Sequence, residues 1–300
     1  MPLVVELNNI SQINKYKKET LIDTYILGIE ELSLDSKLKL DVLKAKEVIE
    51  KIHKINKKVC LNCCKIFHEE SLDTAREILE SIGYENIDYV LFSDLGFYQM
   101  FKDKLEMIYY APTYLTNSKD VEEYRNIIGR VVISNQINIE ELKYIISNSN
   151  TNTNTNVNYV DVFGRNAIFY SKRELLTNYF KYKEKNNNPK AKNYYLIEEY
   201  RDEKYPIIED EFGFHLYEYG FYYLLEELDR DLINNNLIIH TNFLNKESSE
   251  VVINIYLQYI KEEINLDNAI EELKKLDLPL YKGAYDMKTV LLKSEVKTNA

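Results

Sequence analysis

Basic charge, cysteine and long apolar runs are all in short supply in this chain of 300 residues. Thirty-eight Lys and Arg stand against 49 Asp and Glu, for a net charge of −11 and a pI near 5.1. That balance argues against a dedicated polyanion binder, because phosphate contacts need clustered cations; only a local basic patch is left open. No run of eighteen apolar residues occurs, so no membrane-spanning helix is expected. The start, MPLVVELNN, lacks the basic segment and long apolar stretch of a signal peptide. The chain reads as cytoplasmic. Its cysteines are Cys60, Cys63 and Cys64. Cys60 and Cys63 form a CxxC pair that invites a metal or redox reading, but a four-ligand site would need partners that only His68 could supply nearby. The segment VCLNCC also suits a buried strand in which free cysteine packs as a small hydrophobe, and the strand is the better account. No metal and no cofactor is expected.

Familiar catalytic patterns are missing as well. His53, His68, His215 and His240 show no HExxH or HxH spacing, and no GxSxG, Walker A or basic–aromatic RNP pattern occurs. His240 ends an apolar run and could face the mouth of a barrel, but a satisfied, partly buried side chain is the better account. Tryptophan is absent but there are 26 tyrosines, and the cluster YEYGFYY at 217–223 is expected to pack.

What is present is alternation. Short runs rich in Val, Ile, Leu and Tyr at 3–7, 22–27, 58–63, 87–92, 107–110, 130–134 and 157–163 predict strands. Between them, 36–56 and 71–82 carry apolar residues at helical spacing. A doubly wound open sheet and a closed (β/α) barrel both fit this order, and no GxGxxG follows the first strand to favour dinucleotide binding. Residues 147–156, SNSNTNTNTN, predict a flexible loop. A basic, Asn-rich loop follows Tyr182, and runs at 194–200, 205–208 and 212–217 predict a small β-rich insertion over about 183–217. A helix over 221–233, a strand over 237–240 and a last long helix over 249–261 complete the expectation for a single domain spanning 1–300.

The most informative stretch is 159–182, YVDVFGRNAIFYSKRELLTNYFKY. A strand ends at Gly164, and Ser171 and Glu174 have the spacing of a capping box before an apolar helix. Parallel α/β folds build their sites where strands run out into helix starts. Arg173 is therefore a candidate carboxylate or phosphate clamp, with Tyr170 and Lys172 beside it. Asp94, closing a strand in SDLG, could line the same mouth or cap the following helix.

This stretch resembles the collagenase-like peptidase family U32, whose members carry Val-His-Gly, a cysteine and then Tyr-Ser-Gly-Arg-Cys. Val162, Gly164, Tyr170, Ser171 and Arg173 stand in that frame. The family histidine is Phe163, and its two cysteines fall on Ala167 and Glu174. Further similarity covers 22–28, 88–96, the PI-x-ED-x-x-G hairpin at Pro206, Ile207, Glu209, Asp210 and Gly213, and the tail from Tyr281. The resemblance decides for a TIM-like barrel with a β-rich insertion in its C-terminal half. It is closest to a short, cysteine-poor branch found beside a longer, cysteine-bearing relative. It implies a catalytically degenerate subunit that pairs with that paralogue in RNA modification, tRNA wobble-uridine 5-hydroxylation included, and meets tRNA through the partner. An active peptidase or other hydrolase is the alternative, although no nucleophile–base pair stands out.

Overall fold

Eight short apolar strands, each too narrow to bury both faces alone, find their partners by closing on one another. The computed structural model describes residues 3–149, 157–185, 187–188, 194–200 and 202–286. In chain order its strands are β1 (Leu3–Glu6), β2 (Ile22–Ile29), β3 (Lys39–Leu40), β4 (Lys58–Cys63), β5 (Tyr89–Phe92), β6 (Met107–Tyr109), β7 (Arg130–Ile133) and β8 (Val157–Gly164). There follow β9 (Ala167–Ser171), β10 (Tyr194–Leu196), β11 (Tyr205–Asp210), β12 (Gly213–Tyr217), β13 (Phe221–Tyr223), β14 (Asn236–Ile239) and β15 (Leu280–Tyr281). The parallel order β1-β2-β4-β5-β6-β7-β8-β14 returns to β1, with Leu3 opposite Leu237 and Asn236 opposite Tyr159. This is a TIM-like α/β barrel.

Each of the eight strands sends one side chain into a common interior cluster: Val4, Ile26, Cys60, Leu91, Ile108, Val132, Tyr159 and Ile238. The alternate residues face the helices and join the larger core. Asp and Asn start the helices: Asp41 accepts from the Lys44 amide, Asn117 from those of Lys119 and Asp120, and Asn245 and Asn265 act likewise. Gly83 and Gly129, both at positive φ, end the helices Glu69–Ile82 and Ser118–Ile128. No helix of the described residues is long and apolar enough to cross a membrane.

The chain between β8 and β14 builds a second, antiparallel sheet of order β10-β11-β12-β9. It begins at Ala167, upstream of the 183 expected from sequence. Ser171 still pairs with Phe214 in this sheet, its hydroxyl accepts from the Arg173 amide at 3.1 Å, and the helix begins only at Leu175 with Glu174 at its N-cap position, so the expected Ser171–Glu174 capping box does not form. The helix Leu175–Tyr182 is capped from a distance instead. Glu209 on β11 accepts from the amides of Leu176 (2.7 Å) and Thr177 (2.9 Å) and from the Thr177 hydroxyl (2.6 Å). Leu176 and Phe180 then pack on Phe214.

Residues 221–233 are not the single helix expected. Phe221 to Tyr223 form β13, pairing with β15 and antiparallel to β8, and only Arg230–Ile233 is helical. Two helices, Lys246–Ile260 and Leu266–Lys274, close the chain's α-layer where one was expected. Of the anticipated 147–156 loop, 147–149 finish the helix Ile139–Ser149 and the rest lies outside the described residues, as does the tail beyond 286.

Candidate functional site

A cavity of about 300 Å³ opens at the C-terminal end of the barrel strands, the size of a small metabolite or a nucleobase. Its floor at His240 is polar, and Glu6 and Asp161 lie behind that ring, because charged residues replace the apolar alternation where strands run out. Glu6 ends β1, Asp161 interrupts the apolar face of β8, and His240 follows β14; all three are buried. The His240 ring nitrogens lie 3.1 Å from Asp161 Oδ1 and 3.5 Å from Glu6 Oε2. Burial alone would lower the imidazole pKa, but Asp161 and then Glu6 outweigh it and lift it to about 10. An imidazolium thus sits between two carboxylates.

A third acid, Asp35, comes from the loop after β2 and accepts from Asn242 Nδ2 at 2.8 Å. Burial, and next the charge of Glu6, raise its carboxyl to about 6, while His240 and Asn242 hold it down. Asn135 joins Asp161 (3.2 Å) to Asn166 (2.9 Å). The Tyr110 ring lies 5.6 Å from that of His240, its hydroxyl pKa held well above the usual range by burial and Asp161. Glu6 Oε1, Asn242 Oδ1 and Asn135 Oδ1 are buried with no hydrogen-bond partner among the described residues. An unsatisfied buried acceptor carries a desolvation cost of about 1–3 kcal/mol, so a ligand donating to Asn242, the one of the three that lines the cavity, has a ready gain.

The opposite wall is aromatic and cationic. Arg165 stacks on Phe221 and Phe243, its guanidinium carbon 4.2 Å and 5.1 Å from the ring centres, and donates to the Tyr219 carbonyl at 3.2 Å. No acid pairs with it among the described residues, and burial lowers its pKa to about 10. His215 of β12 also lines the cavity; it is buried, burial pushes it down to about 4, and its Nε2 has no hydrogen-bond partner among the described residues. The site can therefore orient a polar, planar ligand and exchange a proton at Asp35 near neutral pH. It has no activated nucleophile among the described residues. Cys64 is pushed well above the usual thiol range by burial, and Ser93 donates to the Tyr110 carbonyl.

Of the side chains singled out from sequence, Tyr170 lines this cavity, stacked on His215 at 4.8 Å with its hydroxyl donating to the Phe212 carbonyl. Asp94 caps the helix Leu95–Phe101 through Phe97 N (2.9 Å) and also accepts from Phe67 N, in the segment that carries Cys64 and Ile66 to the cavity. Lys172 and Arg173 are exposed at the turn after β9 and do not line the cavity. Gly164 is required by close approach rather than by φ: a Cβ there would lie 2.8 Å from the Tyr222 hydroxyl and 2.9 Å from His240 Cβ. Sequence reasoning passed over Glu6, Asp35, Asp161 and Arg165. The available signal was an acid inside or ending an apolar strand, as in LVVE and YVDVF.

An iron–sulfur cluster does not fit these residues. Ala167 and Glu174 offer no thiolate at the family positions. Three residues apart on one strand, Cys60 points into the barrel and Cys63 into the helix layer, so the CxxC pair cannot converge on one iron.

Comparison with known proteins places this geometry. The model of peptidase family U32 matches residues 12–285. The tRNA hydroxylation protein P2 of Bacillus subtilis is 27% identical over 197 residues, 63% of this chain and 61% of that protein. An uncharacterized protease of Methanocaldococcus jannaschii is 27% identical over 195 residues, 62% of this chain and 47% of that one. The chain thus matches less than two thirds of the length of either relative. A solved U32 peptidase covers 80% of this chain and 92% of its own at 8% identity and a TM-score of 0.49.

Proposed function

The chain belongs to peptidase family U32, and from that premise we propose that it serves tRNA hydroxylation, at the wobble uridine, as the cysteine-poor subunit of a hetero-oligomer with a cysteine-bearing family member. The observation that carries this reading is the similarity to the tRNA hydroxylation protein P2. The cavity supports it: buried acids, an imidazolium and an Arg165 that pairs with no acid among the described residues suit holding a polar ring, and among those residues no nucleophile–base pair suits peptide hydrolysis. In this reading Tyr170 contacts the ligand. Asp94 positions the cavity wall through Phe67, and Lys172 and Arg173 meet the partner or the RNA outside. The work takes place in the cytoplasm, where the tRNA is.

The test is nucleoside mass spectrometry of tRNA from cells lacking the gene, alone and with the cysteine-bearing paralogue deleted. Loss of 5-hydroxylated uridine in each single deletion, restored by the matching gene, is the expected result. Unchanged hydroxyuridine, with purified protein cleaving peptides unaided, would favour the hydrolase.

A further inference from the structure

Against a net charge of −11 for the whole chain, residues 165–185 carry six basic side chains and only two acidic ones, Glu174 and Glu184. Arg165 is spent on the cavity; Lys172, Arg173, Lys181, Lys183 and Lys185 are exposed, and among the described residues none of the five makes an ion pair. Elsewhere surface lysines are commonly tied to acids, as Lys15 is to Glu250 and Lys261 to Glu19. Unpaired cations clustered on an acidic protein point to an anionic partner.

The same segment exposes its aromatics. The helix Leu175–Tyr182 buries Leu176 and Phe180, four residues apart, against the small sheet. Leu175, Tyr179 and Tyr182, at i, i+4 and i+7, form a second apolar stripe that faces outward, Tyr182 at 80% exposure. Phe169 on β9, the edge strand of that sheet, is exposed as well. Exposed aromatics interleaved with unpaired Lys and Arg are what a flexible single-stranded nucleic acid needs: cations for its phosphates and rings on which its bases stack. A protein partner would be expected to pair such an apolar stripe with neutral or matched surroundings rather than with five cations without an ion pair among the described residues, of which Lys183 lies over the Tyr182 ring at 5.5 Å.

We propose that the outward face of β9 and the helix Leu175–Tyr182 is the docking surface for a single-stranded RNA loop, whose phosphates lie along Lys172, Arg173, Lys181 and Lys183 and whose bases stack on Tyr179 and Tyr182. The proposal rests on the tRNA reading above and gives that reading a place on the molecule. It also links to the cavity. Phe214 packs against the helix while its neighbour His215, opposite Tyr170, faces the cavity, so helix and cavity lie on opposite faces of the small sheet and an unpaired base would pass round the edge strand β9, whose Ala167 and Tyr170 line the cavity rim. An acidic chain can thus bind RNA through one element without a basic surface overall.

The test uses the purified full chain and a fluorescent stem–loop RNA with a uridine-centred single-stranded loop, beside the fully paired duplex, read by anisotropy over a series of KCl concentrations. Two variants are compared: K172Q/R173Q/K181Q/K183Q, and Y179A/Y182A. All six side chains are exposed, so both should melt as the wild type does, and K46Q/K274Q controls for loss of charge elsewhere. The wild type should prefer the stem–loop. The fourfold variant should bind at least about tenfold more weakly, with a salt slope shallower by about 2–3. Y179A/Y182A should lose about five- to a hundredfold with the slope kept. Wild-type affinity in both variants, or equal binding of duplex and loop, would overturn the proposal. So would loss of cellular hydroxyuridine in the variants with RNA affinity intact, which would give the face to a protein partner. Failure of the functional reading is separate: hydroxyuridine would survive deletion of the gene whatever the anisotropy shows.

Discussion

Replacing Asp161 by Asn removes one of the two charges that hold His240 protonated while keeping the side chain's shape. The folded-state pKa of about 10, against 6.5 for an ordinary histidine, corresponds at about 1.4 kcal/mol per tenfold to roughly 4–5 kcal/mol of folded-state preference for the imidazolium. Because the pKa is raised, that stabilisation is fully present below about 6.5 and fades as pH climbs through about 10. Asp35 adds a slope of the same sign: with its carboxyl raised from 3.8 to about 6, its support is complete below 3.8 and is withdrawn as pH rises through 6. In D161N, Glu6 remains 3.5 Å from the ring, so His240 should keep part of its shift and titrate about one to three pH units lower. Losing one partner of a buried pair should cost about 2–4 kcal/mol at pH 7, toward the lower end because Asn can still hydrogen-bond. The assay is urea unfolding across pH, with carbon-13 histidine spectra in which H240Q identifies the resonance. The deficit of D161N should be largest near neutrality and shrink toward pH 10, as the wild type itself loses the charge. A wild-type His240 titrating near its ordinary value, or a deficit flat across that range, would refute the reasoning.

Three further outcomes follow from the packing. Glu209→Ala removes the acceptor of three donors at the start of the helix Leu175–Tyr182, two of them amides, and should cost about 2–4 kcal/mol; hydrogen exchange should localise the loss to Leu176 and Thr177. Gly164→Ala drives a methyl against the Tyr222 hydroxyl and His240 Cβ and should cost about 1–3 kcal/mol in urea unfolding, with Y222F recovering part of it. Cys60, buried and with its thiol pushed up to about 12, and Cys63 beside it should resist a thiol reagent until the protein unfolds; anaerobic reconstitution with iron and sulfide should leave no thiolate-to-iron absorption, and its appearance would reverse the account of the CxxC pair.

The strands were legible because they are short, β-branched and regularly spaced, but that spacing suits an open sheet as well as a closed barrel, and the resemblance at Val162, Gly164, Tyr170, Ser171 and Arg173 was what decided for the barrel. The small sheet was legible only in part. Ser171 and Glu174 have a capping-box spacing, but β9 runs on to Ser171 and the helix starts only at Leu175, and the true cap, Glu209, lies 33 residues from Leu176. Phe221, Tyr222 and Tyr223 look helical beside Leu224 and Leu225; strand pairing with Gly164 and Leu280 overrode that pattern. The floor of the cavity was harder still. Glu6, Asp161 and His240 meet only because β14 closes the barrel, across separations of 79 and 235 residues for the contacts of Asp161 with His240 and Glu6 with Thr241. No local window of sequence contains that fact.

Closure by β14 also sets the order in which this molecule can be made. Until Asn236–Ile239 has been synthesised, β1 and β8 each present an open edge, because both pair with that strand and neither can pair with the other across the gap. At typical rates of synthesis the wait between Gly164 and Ile239 is about 4–15 s, spent while the small sheet is emerging. Closing so distant a pair is entropically costly and slow. A nascent chain paused in this interval is therefore an incomplete ring with two sticky margins, either of which could accept a strand from another chain.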